Sequence, residues 1–354
     1  MTGPHQFVRE DILKLSAYPV ASAAGMVKLD AMENPYRLPD ALREEVARAV
    51  ANAEINRYPD PSASTLKARL RDVMRIPPAS EILLGNGSDE IIAIVTQALA
   101  RPGAVILAPE PTFVMYRMNA ALSGARFVGV PLKADFSLDM PVLLARIKAL
   151  QPALVWLAYP NNPTGNLFQV DEIEAVIGAT PGLVVVDEAY NVFAARTFLD
   201  RLPEFANLMV MRTVSKIGLA GIRLGYAAAG ADWIREFDKV RPPYNVSVLA
   251  QVVAERVLAH MPVFDEQAAM IKNERSRMID ALAGLPGVTS FATEANFVLI
   301  RVPDAQALND HLKHRKILVR NFHGSHPLLA NCLRLTVGTP GENVLLLETL
   351  AEAL

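Results

Sequence analysis

One lysine sits in unusual company. Lys216 lies in the run Arg212-Thr-Val-Ser-Lys-Ile-Gly-Leu-Ala-Gly-Ile-Arg-Leu-Gly-Tyr226, among small and apolar residues. Surface lysines usually have polar neighbours, whereas glycine and alanine let backbone crowd close to a side chain or to something attached to it. Removal from water lowers an amine pKa, which suits a Schiff-base nucleophile. A lysine snorkelling from the end of a buried strand would leave the same run. Three other stretches carry groups that could work with it. In Val184-Val-Val-Asp-Glu-Ala-Tyr190, Asp187 follows three valines. A carboxylate held there is costly without a cationic partner. A pyridinium nitrogen would serve, and so would a metal, although no phosphate-binding lysine loop accompanies the acid. Gly85-Asn-Gly-Ser-Asp-Glu90 opens a helical pattern, where free N–H groups and a Ser88 cap suit an anion or an ordinary capped turn. Tyr159-Pro-Asn-Asn-Pro-Thr-Gly165 ends an apolar strand in a proline-stiffened loop, which aims an amide over the strand ends or merely turns the chain.

These loops need strands behind them. Apolar runs at 104–109, 125–132, 153–160, 183–190, 207–213 and 223–230 read as buried strands. Helical patterns at 88–100, 112–123, 139–150 and 169–179 lie between several of them. Such βα alternation predicts an α/β fold with a mostly parallel sheet covered by helices, whose ligands bind outside the carboxyl ends of the strands. The last third changes character, with long helical patterns and then short strands, which predicts a smaller α+β domain. The expected division is an N-terminal segment at 1–29 reaching the small domain and the site rim, a large domain at 30–245 and a small domain at 246–354. The Pro-rich stretch Val240-Arg-Pro-Pro-Tyr244 marks the boundary.

Composition narrows the function classes. The chain has 354 residues, a formal net charge of -2 and one cysteine, Cys332. Near-neutral charge offers no electrostatic footprint for nucleic acid or anionic membrane, so the expected partners are small molecules or a second copy. A single thiol rules out an internal disulfide framework, suits a reducing cytoplasm and reads as a small buried hydrophobe. No zinc or other metal pattern is present among the cysteine and histidines. No apolar stretch reaches the length needed to span a bilayer, and the N-terminus lacks the apolar core of an export signal.

The order of glycine-rich anion loop, Asn-Pro loop, strand-terminal Asp and Ser-x-Lys resembles the fold-type-I pyridoxal-phosphate enzymes, the aspartate-aminotransferase superfamily, over almost the whole chain. That resemblance implies a pyridoxal 5′-phosphate cofactor bonded to Lys216, which then moves a proton at the substrate Cα. It places Asp187 on the ring nitrogen, Asn162 and Tyr190 on the ring oxygen and Tyr116 against the ring face. Gly87, Ser88, Asp89, Thr213, Ser215 and Arg223 would hold the phosphate, with Tyr58 reaching over from a partner subunit in a homodimer. Arg223 follows Lys216 by seven positions, where eight is usual in the superfamily. The opening Lys28-Leu-Asp-Ala-Met-Glu-Asn-Pro35 and the arginines of Ile317-Leu-Val-Arg320 and Leu333-Arg-Leu-Thr-Val-Gly338 are similar to the histidinol-phosphate aminotransferase family, with Met32 where asparagine is common. This implies transamination in histidine biosynthesis, with Arg320, Arg334, Tyr18 and Asn162 reading the substrate. The same cofactor shell would serve a threonine-phosphate decarboxylase, an aromatic aminotransferase or, less well, a cofactor-binding regulator. His323 and His326 are expected to be exposed, Asn296 to satisfy a turn, and Tyr244 is left without a role.

Overall fold

The computed structural model describes residues 3–17 and 21–354. Seven strands form the central sheet: β1 (Ser80–Asn86), β2 (Val105–Glu110), β3 (Arg126–Pro131), β4 (Leu154–Ala158), β5 (Leu183–Asp187), β6 (Leu208–Thr213) and β7 (Leu224–Gly230). They lie in the order β1-β7-β6-β5-β4-β2-β3. β7 runs antiparallel to both its neighbours, and the remaining pairs are parallel. β4, β5 and β6 are buried along their whole length, which explains why they read as continuous apolar runs rather than alternating ones.

Each face of the sheet carries its own core, because successive side chains point to opposite sides. Leu107, Val155, Leu157, Val184, Val186 and Val210 pack on one face. Ile106, Leu154, Trp156, Val185, Met209 and Met211 pack on the other. Helices α1 (Ser88–Leu99) and α2 (Val114–Leu122), with Met140–Leu150 and Val170–Ala179, return the chain between parallel strands. The expected strands and helices all form, with ends within a few residues. β1 was not foreseen. It is an edge strand paired on one side, and its apolar stretch Ile82-Leu83-Leu84 is too short to stand out beside Pro77 and Pro78.

A second sheet is antiparallel, built from β8 (Phe297–Arg301), β9 (Arg320–Asn321) and β10 (Cys332–Thr336), with Thr289–Ser290 at its edge. Phe297, Ile300, Leu333 and Leu335 form a separate apolar cluster with Ala268, Ile271, Met278 and Leu282 of the long helix Met261–Ala283. Leu29 joins this cluster, and Val27–Lys28 pairs in parallel with Ile317–Leu318. The helix Val248–Val257 instead buries Ala250, Ala254 and Val257 in the core of the central sheet. Among the described residues no helix is long and apolar enough to cross a membrane. Cys332 is buried, as expected of a small apolar side chain.

Candidate active site

The carboxyl ends of β1, β2, β4, β5 and β6 open on one side of the central sheet. Because β7 runs the other way, its start, with Arg223 just ahead of it, is delivered to that same side. A cavity of about 250 Å³ lies there. Ser88, Asp89, Asn162, Asp187, Tyr190, Thr213, Ser215, Lys216 and Arg223 line it, together with Phe113 and Tyr116, and Ala31, Met32 and Glu33 contribute from the N-terminal segment. Segments spread from residue 31 to residue 223 thus meet in one place.

Asp187 ends β5 and is 5% exposed. Its Oδ2 accepts the Tyr116 hydroxyl at 2.6 Å, and its Oδ1 accepts the backbone N–H of Ala189 at 3.0 Å. Burial still outweighs both donors and pushes the carboxyl pKa up to about 6. Lys216 sits in the irregular turn Ser215–Leu219, where Gly218 has φ of 127°. A side chain there would be strained and would press on Asn34, whose Nδ2 donates to the Ile217 carbonyl at 2.9 Å. Burial, then the nearby Arg334 guanidinium, lowers the Lys216 amine to about 8. Its Nζ donates to the Ala31 carbonyl at 3.1 Å and stands 5.6 Å from the centre of the Tyr190 ring.

An anion cradle lies at the start of α1. Gly87 has φ of 82°, and a Cβ there would fall 2.6 Å from Arg223 Nη2, so glycine is what lets the guanidinium approach. Arg223 Nη2 also donates to Asp89 at 3.2 Å. On the facing loop the Thr213 hydroxyl donates to Ser215 Oγ at 2.9 Å and accepts the Ser215 N–H. The Asn-Asn pair divides its labour. Asn161 ties its own loop by donating to the Pro111 carbonyl and Thr164 Oγ1. Asn162 faces the cavity, donating to Tyr190 Oη at 3.1 Å and accepting from Arg334 Nη1 at 2.5 Å. Arg334, on β10, is 5% exposed and also donates to the Asp30 carbonyl at 2.7 Å. Arg320, on β9, stands directly across from Arg334 in the strand register.

The family model for aminotransferases of class I and II matches residues 24–350. Histidinol-phosphate aminotransferase of Chromobacterium violaceum is 57% identical over 345 residues, 98% of this chain and 97% of that one. Histidinol-phosphate aminotransferase 1 of Ralstonia nicotianae is 55% identical over 354 residues, 99% of this chain and 95% of that one. It is a class I and II aminotransferase, of the histidinol-phosphate aminotransferase family. The solved structure of histidinol-phosphate aminotransferase from Sinorhizobium meliloti in complex with pyridoxal-5′-phosphate superposes with a TM-score of 0.87 at 27% identity, covering 98% of this chain and 97% of that one.

The aminotransferase uses pyridoxal 5′-phosphate, and its own residues fit that group. Asp187 is a buried acid in want of a cation, Lys216 is an amine of lowered pKa, and Ser88, Ser215 and Arg223 are donors suited to a dianion. Tyr116 is a correction. Its ring is fully buried and stacked on Trp156 at 4.8 Å, and its hydroxyl is on Asp187, so it holds the acid rather than offering a face to a ring. Phe113, at the start of α2, lines the same cavity and is the aromatic left to take the ring face. The sequence signal for it was an aromatic one helical turn before Tyr116. Tyr58 is 80% exposed and stacks on Tyr244, outside the cavity of its own chain. Arg320 does not line the cavity but an adjoining hollow with Asp30 and His323. His323 is exposed, whereas His326 is half-buried and its Nδ1 accepts the Leu328 N–H. Tyr18 lies outside the described residues. Among those described, no group of acids, histidines or cysteine is arranged to hold a metal.

Proposed function

We propose that this enzyme transfers an amino group between L-histidinol phosphate and 2-oxoglutarate, giving imidazole acetol phosphate and L-glutamate, in histidine biosynthesis. The observation that carries this reading is the facing pair Arg320 and Arg334 beside the Lys216–Asp187 cavity. Guanidinium suits both a carboxylate and a phosphate. A transaminase whose two substrates carry one anion or the other needs such a pocket.

When bound, pyridoxal 5′-phosphate supplies an aldehyde for the amino group and a ring that draws electrons from the substrate carbon. Lys216 Nζ is the base that takes the Cα proton and later returns one. Asp187 keeps a proton on the ring nitrogen. Asn162 and Tyr190 would hold the ring oxygen, Phe113 the ring face, and Ser88, Ser215 and Arg223 the phosphate, with Thr213 orienting Ser215. Arg334 orients substrate, and its bond to Asn162 ties substrate binding to cofactor holding.

The homodimer belongs to the same proposal. Ile55, Tyr58, Tyr244 and Leu249 are exposed apolar or aromatic side chains on one face, which a second copy would cover, carrying Tyr58 to the partner's phosphate cradle. A cytoplasmic setting suits the lone thiol. The domain boundary is best placed near residues 258–261, since Ala250, Ala254 and Val257 are part of the central-sheet core. Half-reaction rates with L-histidinol phosphate and L-phenylalanine test the function. Strong preference for the phosphate ester is expected, and equal rates would remove the anion-pocket argument. A protein without the visible absorption of lysine-bound cofactor, unchanged by Lys216→Ala, would overturn the whole reading.

A further inference from the structure

Met32 holds φ of 51° although it is 8% exposed and lines the cavity. A long apolar side chain rarely adopts this left-handed region, and such strain persists only where surroundings enforce it. Here they do. The Met32 N–H donates to Thr336 Oγ1 at 3.2 Å, and the Met32 carbonyl accepts from Asn296 Nδ2 at 3.0 Å. Thr336 and Asn296 are both buried, and Asn296 Oδ1 has no hydrogen-bond partner. The amide of Asn296 is therefore spent on this segment, not on a turn of its own. Three successive carbonyls of the segment go to three different donors: Asp30 to Arg334, Ala31 to Lys216 and Met32 to Asn296.

We propose that the left-handed turn at Met32, clamped by Thr336 and Asn296, is a positioning device that sets the Ala31 carbonyl as the acceptor for the Lys216 amine whenever that amine is not bonded to the cofactor. The idea rests on the reading of Lys216 as the base. A free lysine has several rotatable bonds, and fixing one N–H on a carbonyl fixes the direction of the lone pair. The Cα–H bond breaks, its proton joins the Nζ lone pair, and its electron pair passes to the bound cofactor. The ammonium so formed keeps its bond to the Ala31 carbonyl and would then deliver the proton to the cofactor carbon that is bonded to the substrate nitrogen. Met32 and Thr336 never touch the reacting atoms; they act through the Ala31 carbonyl.

The test compares Met32→Val and Thr336→Val with Met32→Gly and Met32→Asn. Valine disfavours a positive φ, glycine and asparagine tolerate it, and Thr336→Val removes only the acceptor of the Met32 N–H. Met32→Val and Thr336→Val are expected to slow the glutamate half-reaction of the holoenzyme about ten-fold. Glutamate affinity should not change, and the isotope effect with Cα-deuterated glutamate should rise. Met32→Gly and Met32→Asn, which lose the same side chain but keep the turn, should be impaired less than Met32→Val in both rate and isotope effect. A second readout needs no turnover. In enzyme loaded with pyridoxamine 5′-phosphate, where the lysine amine is free, the pH dependence of Lys216 acetylation by acetic anhydride reports its pKa. That pKa should fall in Met32→Val and Thr336→Val, because a carbonyl acceptor favours the ammonium. Wild-type rate, isotope effect and lysine pKa in Thr336→Val would overturn the proposal, even if Met32→Val fails to fold. Equal impairment in all three Met32 variants would overturn it too, by assigning the effect to the side chain. Because the labelling readout involves no substrate, failure of the enzyme to use histidinol phosphate would leave it standing.

Discussion

The two ends of the cavity are built differently. At the cofactor end, Ser88, Asn162, Asp187 and Lys216 each sit within a few residues of a strand terminus of one sheet, so a single rigid scaffold sets their spacing. At the proposed substrate end, Arg334 comes from β10, with Arg320 of β9 opposite it in an adjoining hollow, and Met32 and Asp30 come from a segment some three hundred residues earlier in the chain. The two ends meet through contacts that include Arg334 on Asn162, Ala31 on Lys216, Asn34 on the Ile217 carbonyl and the Tyr190 ring against Phe297. A group at the cofactor end is stabilised by its own strand. One at the substrate end depends on how the two sheets are assembled, and this is where chains sharing a cofactor have room to differ in substrate.

Substitutions can separate the ends. The largest effect is expected for Asp187→Asn, about 10³-fold in kcat with substrate KM little changed, because the lost charge faces the ring and not the substrate. Thermal melting of the cofactor-free protein checks the same residue independently. The folded pKa of about 6 is raised from 3.8, so below the lower value the carboxyl is neutral in both states and costs nothing. As pH rises from the lower value through the folded one, the buried carboxylate costs stability, by about 3 kcal/mol once fully ionised. The cofactor-free variant should therefore melt higher than the parent in mild alkali and equally in acid. A lower melting point in alkali would show that a cation already pairs with this acid.

Next comes Arg334→Gln, expected to lower kcat/KM about 100-fold for both glutamate and the phosphate substrate. Since Arg334 helps hold the Lys216 pKa down, its loss should raise that pKa, and the acid limb of the half-reaction should move to higher pH. An unchanged KM for both substrates would show that the arginine serves the fold alone. Smallest is Tyr116→Phe. Removing the hydroxyl donor lifts the Asp187 pKa further, so kcat should fall about ten-fold near neutrality and recover as pH rises. A loss independent of pH would mean that Tyr116 acts by packing on Trp156.

The cofactor end was largely legible in the chain. Asp187 after three valines, and Lys216 among small and apolar residues, are local anomalies, and a polar group placed by its own strand stays beside the residues that make it conspicuous. The edge strand β1 was lost because pairing, not apolar length, makes it a strand. Tyr116 and Phe113 are both aromatic, both line the cavity and lie one turn of α2 apart; only packing says that the first is stacked on Trp156 with its hydroxyl on Asp187. Asn296 looked like a turn residue because its partner, the carbonyl of Met32, is distant in sequence.

The amino-acid sequence by itself determined the α/β scaffold and singled out Lys216, Asp187 and the Gly85–Glu90 loop as candidates for the site, since each follows from short-range patterns of burial and backbone freedom. Only the tertiary structure decided that Arg320 faces Arg334, that Tyr116 holds Asp187, and that a strained turn at Met32 sets a carbonyl on Lys216. Those depend on the register between strands and on contacts across long loops, which no local pattern encodes.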